Sequence, residues 1–344
     1  MATVLNREQR TQSRREAPHV ELGLADATVV AMYRAMLTAR RISERAIRLA
    51  RQGAIDVAIQ TDGHEAAQVA SMMALRSSDP AYLYYRSVAA AHARGMRARD
   101  IMLDYFGRAE GPSSGGRNLP GHWAMRALDL ITVSGSVGTH VPHAVGSAWA
   151  GRLLGQNWVS IAYFGDAAAS KGDFHEGLSF AAIHRLPVIL FCENNGIAIS
   201  VPYELQAPVF NVSDRAAGYG VPGVTVDGAD ALAVYRATRE AADRARSGGG
   251  PTLIEARVAR LGQHTSQVGD LRSPGDMAAA RERDPLPRMA GYLREHQLLD
   301  EAELASLNAE VATEVEQAVA YAQAAAPLED SEATQRLFAT AIAR

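Results

Sequence analysis

The sequence has little of several features that mark well-known protein classes. Cys192 is its only cysteine, which excludes an internal disulfide and a cysteine-rich zinc site and fits a reducing compartment. No apolar run approaches the roughly 20 residues that a membrane-spanning helix needs. The net charge of −3 gives no electrostatic reason to expect nucleic acid or an acidic membrane as a partner. No Gly-x-Gly-x-x-Gly follows an apparent strand, so a nicotinamide-dependent dehydrogenase is a weak alternative.

The composition favours a large, well-packed protein. The chain has 344 residues, of which 47% are hydrophobic and 21% charged, enough for two ordinary domains or one large domain. Residues 1–25 begin with a polar, Arg-rich stretch that lacks an apolar signal core, and we predict a flexible arm. A transit peptide is the alternative, but Glu8, Glu16 and Glu21 count against it. We therefore expect a cytoplasmic protein.

Apolar runs and helical patterns alternate through the middle of the chain. The apolar runs lie at 157–166, 186–196, 223–228 and 252–260, and helical patterns lie between them at 172–185 and 230–247. Apolar run, helix and apolar run in succession is the pattern of a βαβ unit with buried parallel strands. We therefore predict an α/β protein with a mostly parallel sheet and helices on its faces.

The remainder of the chain reads as helices and one long loop. Helical spacing of apolar residues predicts helices at 26–52, 64–76 and 96–106, and from about 284 onwards. Residues 107–123 are rich in Gly, Pro and Ser and form a loop, and a loop of this length is usually functional or mobile. Unbroken alternation from about 130 to 260 favours a single domain over residues 26–328, followed by a tail over 329–344.

Polar residues stand where two neighbouring strands are predicted to end. Asp166 ends the run at 157–166, and Asn194 and Asn195 end the run at 186–196. The carboxyl ends of parallel strands meet at one edge of a sheet, where ligands bind. Their oxygens suit Mg²⁺ or Ca²⁺, and Mg²⁺ commonly completes its shell with phosphate oxygens. Taken singly, the acid is also a plausible helix N-cap and the asparagines a turn; together they predict a metal–diphosphate site.

The segment GDAAASKGDFHEGLSFAAIHRLPVILFCENNGIAIS, residues 165–200, resembles the thiamine diphosphate-binding segment of the α subunits of 2-oxo acid dehydrogenases. The likeness extends over roughly residues 30–265. It implies the thiamine diphosphate-binding fold, with helices on both faces of the sheet. It also implies that Mg²⁺ is held by the side chains of Asp166 and Asn195 and by the backbone carbonyl of Ile197.

Small residues after the acid fit an approach of the backbone to phosphate. Ala167, Ala168, Ala169 and Ser170 let backbone N–H groups come close to a phosphate near the start of a helix, and the resemblance places the first two at the cofactor. Ala167 replaces the second Gly of the family's Gly-Asp-Gly, which has a cost if that residue needs a positive φ. Glu193 stands where branched-chain members tend to have an Arg that reaches the diphosphate, so it must repel the diphosphate or turn away.

Two further segments match the family. In LYYRS, the resemblance implies that Arg86 grips the diphosphate and Tyr85 flanks the cofactor; the residues alone read as a buried aromatic beside a surface arginine. In ITVSGSVGTHVPHAVGSAWA, it implies that the backbone at Gly135 and Val137 binds the aminopyrimidine and that the Val137 side chain props the cofactor in a bent shape. Val137 and Tyr84 are then expected to border the acyl pocket.

Two loops carry the remaining implied site residues. RLGQHTSQVGD resembles the family's Arg-x-x-x-His-Ser/Thr loop, which makes His264 the active-site histidine and Arg260 an anchor of the loop. An imidazole donates a proton or a hydrogen bond near neutral pH, although the residues alone read as a solvated loop histidine. Gln267 and Val268 replace the family's acidic pair, which puts the usual loop anchoring in doubt. GRNLPGHW resembles the loop at the active-site mouth of branched-chain members, with His122 facing the pocket.

Two other patterns favour structural roles. His140 and His143 are spaced as metal ligands on a helix, but no third ligand is near in sequence and packing at a helix start suffices. Gly63 and Glu65 match a family Gly-x-Glu near a helix start, and we assign Glu65 a structural or interface role.

The resemblance implies an enzyme that needs partners. It points to oxidative decarboxylation of a 2-oxo acid with acyl transfer to lipoamide, a branched-chain substrate being favoured and pyruvate or acetoin remaining open. In this family a β subunit supplies the glutamate that activates the aminopyrimidine, and this sequence offers no obvious substitute. We therefore expect an α₂β₂ heterotetramer that passes the acyl group to a lipoyl acyltransferase core. The departures at Ala167, Glu193 and Val268 keep open a degenerate, non-catalytic partner subunit.

Overall fold

Six parallel strands form the main sheet of the computed structural model, which describes residues 17–131 and 135–335. The strands of the whole structure are β1 (Ala81–Tyr82), β2 (Leu130–Ile131), β3 (Ser160–Gly165), β4 (Val188–Asn194), β5 (Ile197–Ala198), β6 (Val201–Pro202), β7 (Gly223–Asp227) and β8 (Thr252–Arg257). The main sheet has the order β2-β1-β3-β4-β8-β7, and β5 and β6 form a separate antiparallel hairpin. The mostly parallel sheet is therefore confirmed.

Helices cover both faces of this sheet. They are α1 (Pro18–Glu21), α2 (Asp26–Arg51), α3 (Glu65–Met73), α4 (Val88–Arg94), α5 (Ala98–Tyr105), α6 (His140–Leu153), α7 (Gly172–Ile183), α8 (Ala231–Arg246), α9 (Pro274–Glu282), α10 (Pro285–Glu295) and α11 (Glu301–Ala324). Alternate residues of β3 belong to different cores: Ile161 and Tyr163 pack with α2–α5, α8, α10 and α11, whereas Ala162 and Phe164 pack with α6 and α7. This alternation follows from the two-residue period of a strand.

The elements for which bounds were predicted are confirmed to within about three residues at their ends. No bounds were predicted for α1, α4, α6, α9, β1, β2, β5 and β6. Residues 107–123 contain no helix or strand, only turns and one isolated bridge, as predicted for this loop. Within the described parts of the chain, no helix is long and apolar enough to cross a membrane.

The prediction of a flexible N-terminal arm is wrong for residues 17–25. This segment contains α1, whose His19 side chain is fully buried. The ring Nδ1 of His19 lies 2.6 Å from the Tyr292 hydroxyl, and Nε2 lies 3.0 Å from Oδ1 of Asp26. Tertiary contacts to α10 therefore fix this part of the arm. Residues 1–16, and 336–344 of the predicted tail, lie outside the described residues.

The turn before α3 packs directly against the segment that follows β8. Gly63 has φ +97°, and a Cβ added there would lie 1.8 Å from the carbonyl oxygen of Ala259. Its backbone N–H donates to Glu65 at 2.8 Å, and the other carboxylate oxygen of Glu65 accepts from Nε of Arg40 at 2.6 Å. Glu65 is fully buried, so within this chain it serves as a structural tie between α2 and α3.

We expect Gly63→Ala to lower the free energy of unfolding by about 3 kcal/mol or more, because a left-handed backbone and a backbone clash both oppose the new methyl group. Gly53→Ala is the matched control, since Gly53 has φ +72° but open space around it. The control should lose only about 1–2 kcal/mol. Denaturant midpoints of the two variants give the comparison, and equal losses would show that the contact with Ala259 does not matter.

Candidate functional site

The ends of β3 and β4 bring an acid and an asparagine together. Asp166 follows β3 directly and is only 2% exposed. Burial raises the pKa of its carboxyl, while the nearby backbone N–H of Asn195 and the Gln206 side chain act to lower it. The register pairs Gly165 with Glu193, so the two strands end level with each other. The predicted convergence of Asp166 and Asn195 is therefore present in the backbone.

The two asparagines after β4 have different roles. The Asn194 side chain is buried and committed to the protein: its Nδ2 donates to Glu255 at 2.7 Å, and its Oδ1 accepts from the backbone of Gly196 at 2.9 Å. Asn195 is half-buried, and its Oδ1 accepts only a local bond of 3.2 Å from the backbone of Ile197. Asn195 is thus the asparagine whose oxygen can serve a ligand.

The backbone at Ala167 carries no strain. It belongs to a 3₁₀ turn over Asp166–Ser170. Among the described residues other than glycine, positive φ angles occur at Asp129, Arg185, Ile199 and Gln297. Ala167 is not among them, so a second glycine is not needed at this position for conformational reasons.

Two buried arginines and a histidine lie near this edge. Arg86 and Arg260 are each only 2% exposed. Nη2 of Arg86 lies 3.2 Å from Nδ1 of His264, and Nη1 donates to the carbonyls of Gln60 and His264. Nη2 of Arg260 donates to the carbonyl of Ile199 at 3.1 Å, but Nε and Nη1 are buried and have no partner in the described structure.

The charges in this cluster oppose one another. Burial, together with the charges of Arg86 and Arg260, lowers the pKa of His264 to about 4. The pKa of Arg260 falls to about 10 through burial and through Arg86 and Arg272. Within the described ranges no carboxylate forms an ion pair with Arg86 or Arg260. Because a buried charge without a partner is costly, these donors call for an anion.

The donor set fits thiamine diphosphate with Mg²⁺. The guanidinium of Arg260, with two unsatisfied buried nitrogens, matches phosphate oxygens, and so does the fork of Arg86. One carboxylate, one amide oxygen and one carbonyl suit Mg²⁺, which takes its other ligands from phosphate and water. In the parts of the chain described here, no group of three or more His, Cys, Asp or Glu side chains is placed to hold a metal.

The remaining implied residues lie around the same edge. Val137 is 39% exposed, and the adjacent Gly138 packs against Lys171 and the carbonyl of Ala168. Gly135 stands in open space, while residues 132–134 before it lie outside the described residues. The rings of Tyr85 and His264 are arranged edge-on, with their centroids 5.9 Å apart. His122 is buried, with Nδ1 2.9 Å from the carbonyl of Leu119, and the neighbouring Gly121 packs on Tyr85.

A different pair from the family's acidic residues anchors the His264 loop. Arg272 donates to the carbonyls of Arg260 and Gly262, both at 2.6 Å, and pairs with Asp270 at 2.6 Å. This pair was not predicted, although an Asp and an Arg two residues apart in a loop are a recognisable sequence signal. The doubt raised by Gln267 and Val268 is resolved, because the loop has its own ion pair.

Glu193 and Tyr84 are committed to each other. Oε2 of Glu193 accepts from Nδ1 of His64 at 2.6 Å, from Nε2 of Gln68 at 2.8 Å and from the Tyr84 hydroxyl at 3.1 Å. Both residues are buried, and the strand alternation places Glu193 on the face of β4 opposite Asn194. The hydroxyl of Tyr84 is therefore occupied, although the sequence analysis expected this residue beside the acyl pocket.

His140 has a packing role. Its Nε2 lies 2.6 Å from the carbonyl of Tyr163, and burial lowers its pKa to about 4. This hydrogen bond joins the start of α6 to β3, which is the packing role expected of a histidine at the start of a helix.

The fold is that of an α/β protein with a mostly parallel sheet, whose carboxyl edge carries oxygen donors and buried arginines. The model of the dehydrogenase E1 component family matches residues 33–330. The chain belongs to this family.

Relatives with related names cover most of the chain. It is 48% identical over 294 residues to the 2-oxoisovalerate dehydrogenase subunit alpha of Bacillus subtilis, which is 84% of this chain and 89% of that protein. It is 35% identical over 282 residues to the 3-methyl-2-oxobutanoate dehydrogenase subunit alpha of Mycobacterium tuberculosis, covering 80% and 73%. It is 36% identical over 281 residues to the pyruvate dehydrogenase E1 component subunit alpha of Staphylococcus aureus, covering 81% and 73%.

We expect Arg260→Met to raise the pKa of His264 above its value of about 4, because a nearby like charge is removed while burial remains. The measurement is an NMR titration of the His264 ring, assigned with His264→Asn. Arg244→Met serves as the control, since Arg244 contacts the backbone of Gly250 and Pro251 and exerts no effect on His264. An unchanged or lower pKa in Arg260→Met would contradict the proposed charge coupling.

Proposed function

We propose that this chain is the α subunit of a thiamine diphosphate-dependent 2-oxo acid dehydrogenase that prefers a branched-chain 2-oxo acid. The observation that carries the proposal is the pair of buried arginines that form no ion pair with a carboxylate in the described structure, beside the Asp166–Asn195 edge. Membership of the dehydrogenase E1 family supports the reaction, and 48% identity to a 2-oxoisovalerate dehydrogenase subunit supports the substrate.

The residues of this edge divide the binding of the cofactor among them. Asp166, Asn195 and the carbonyl of Ile197 hold Mg²⁺, while Arg86 and the small residues of the 3₁₀ turn, Ala167 and Ala168, receive the diphosphate. Arg260 also offers its two unpaired buried N–H groups to the phosphate oxygens. Gly135 and Val137 hold the aminopyrimidine, and Tyr85 flanks the cofactor. Bound thiamine diphosphate supplies the electron sink for loss of CO₂ from the 2-oxo acid.

His264 holds its proton at a defined atom. Arg86 has only N–H donors, so the contact with Nδ1 of His264 makes Nδ1 the acceptor. With a pKa of about 4 the imidazole is neutral at pH 7, and its proton then sits on Nε2. His264 can therefore donate a hydrogen bond from Nε2 to a substrate oxygen, with His122 at the mouth of the same site.

The chain acts with partners. The family implies a β subunit, and we propose an α₂β₂ heterotetramer that delivers its acyl group to a lipoyl acyltransferase core in the cytoplasm. The site has an apolar rim with exposed Val137, Ile199 and Leu119, which suits coverage by another subunit.

The alternatives are weaker than this proposal. The relative named as a pyruvate dehydrogenase subunit is 36% identical, against 48% for the branched-chain one. A degenerate, non-catalytic subunit is the alternative suggested by three departures from the family's sequence pattern. The structure accommodates each of these departures. Ala167 has an unstrained backbone, Glu193 has its own partners, and Arg272 replaces the missing loop anchor near Val268.

The proposal predicts the activity of the chain purified with its β subunit. The pair should bind thiamine diphosphate saturably in the presence of Mg²⁺ and should decarboxylate 3-methyl-2-oxobutanoate. We expect kcat/KM for this substrate to exceed that for pyruvate roughly tenfold or more, because extra methyl groups fill an apolar pocket. The isolated chain should show no turnover. Equal preference for pyruvate would overturn the substrate assignment, and absence of cofactor binding would overturn the enzyme class.

Asn195→Ala should weaken Mg²⁺ binding by the cofactor-loaded pair at least about tenfold, because it removes one oxygen ligand from the ion. Calorimetric titration of Mg²⁺ at saturating thiamine diphosphate gives the measurement. Asn157→Ala is the control, since Asn157 is an exposed asparagine on the loop before β3. If both variants bind Mg²⁺ like the parent, Asn195 is not a metal ligand.

A further inference from the structure

A buried hydrogen-bond network joins the two sides of the proposed diphosphate site. Glu193 lies on β4 and is fully buried. Asn195, two residues further on, follows the end of the strand. Oε2 of Glu193 accepts three hydrogen bonds, of which two come from His64 and Gln68 at the start of α3. The third comes from Tyr84, two residues before Arg86. One carboxylate oxygen therefore connects the metal side of the edge to the arginine side.

Gln68 transmits this connection to Arg86. Its Nε2 donates to Glu193 and also, at 3.1 Å, to the backbone carbonyl of Arg86. Its Oε1 accepts from the backbone N–H groups of Ala89 and Ala90, at 3.0 and 3.3 Å, in the first turn of α4. The turn that carries Arg86 is thus held at the arginine and after it by one side chain, whose amide is oriented by Glu193.

Burying this hydrogen-bond network costs desolvation free energy. No arginine or lysine donates to the carboxylate of Glu193, burial lowers the pKa of its partner His64, and its Oε1 is buried without a partner in the described structure. Nε2 of His64 is also buried and unpaired. An apolar core of the same shape would avoid the desolvation of these groups. A polar network in this place therefore has a reason beyond stability.

We infer that Glu193 is a positioning residue that fixes the Arg86 turn relative to Asn195, so that one diphosphate reaches both the arginine and the metal. This inference rests on the proposed function and adds a residue that the family likeness marked only as a departure. Glu193 touches neither cofactor nor substrate in this arrangement. It acts through hydrogen bonds to Tyr84 and Gln68.

The test compares thiamine diphosphate affinity among variants of the chain purified with its β subunit. At saturating Mg²⁺, Glu193→Ala should raise the Kd roughly tenfold or more, the effect of losing hydrogen bonds to a charged acceptor. Glu193→Gln, which keeps one acceptor oxygen, should recover part of the affinity. In an Arg86→Met background, Glu193→Ala should add little to the loss, because its effect runs through Arg86. Full additivity of the two losses would overturn the inference.

A matched control separates positioning from stability. Asp79 is also fully buried and accepts from the backbone of Val159 and Arg76, both at 2.8 Å, and it precedes β1 at the opposite ends of the strands. Asp79→Asn should lower the melting temperature without changing the Kd. Should Glu193→Ala fail to fold, Tyr84→Phe removes one of the three bonds and should raise the Kd severalfold. An unchanged Kd in Tyr84→Phe and Glu193→Gln overturns the inference, whereas absence of binding by the parent pair overturns the proposed function instead.

Discussion

The repulsion between two buried guanidinium groups is the interaction on which the candidate site depends. Arg86 and Arg260 lie within reach of each other's charge, and in the described structure neither forms an ion pair with a carboxylate. A protein that needed these arginines only for packing would gain by pairing or exposing them. Their burial beside small residues and unpaired N–H donors makes sense when an anion completes the charge balance. The diphosphate assignment follows from this electrostatic demand as well as from family membership.

The parallel sheet determines where the side chains of the candidate site lie. Because β3 and β4 end level, Asp166 and Asn195 meet on one edge without any special loop. Two buried glutamates, one on each face of the sheet, form hydrogen bonds that hold the end of β4 and the turn that follows it. Glu255 orients the amide of Asn194, and Glu193 gathers donors from α3 and the Arg86 turn. The hairpin after the turn places Ile199 at φ +56°, a strained conformation for a β-branched residue, with its carbonyl on Arg260.

Local patterns allowed much of this arrangement to be predicted. The alternation of apolar runs and helices gives the sheet, and polar residues at the ends of two runs give the Asp166–Asn195 edge. Such local patterns do not predict contacts between distant parts of the chain. His19 and Tyr292 are 273 residues apart, so the packing of α1 is invisible in a stretch that reads as polar. Likewise, no local rule tells that Glu193 meets Gln68, 125 residues away, instead of repelling phosphate.

The charges at this edge also set the state of the histidine. Arg86 and Arg260 reinforce burial in keeping His264 neutral, and the contact with Arg86 assigns its proton to Nε2. An anion bound between the arginines cancels part of this repulsion, so anion binding and protonation of His264 favour each other by thermodynamic linkage. In the proposed site Arg86 therefore serves twice: it receives the diphosphate, and its contact with Nδ1 decides which nitrogen of His264 carries the proton. Replacing Arg86 with lysine would keep the charge but lose the fixed fork of donors that makes the second role possible.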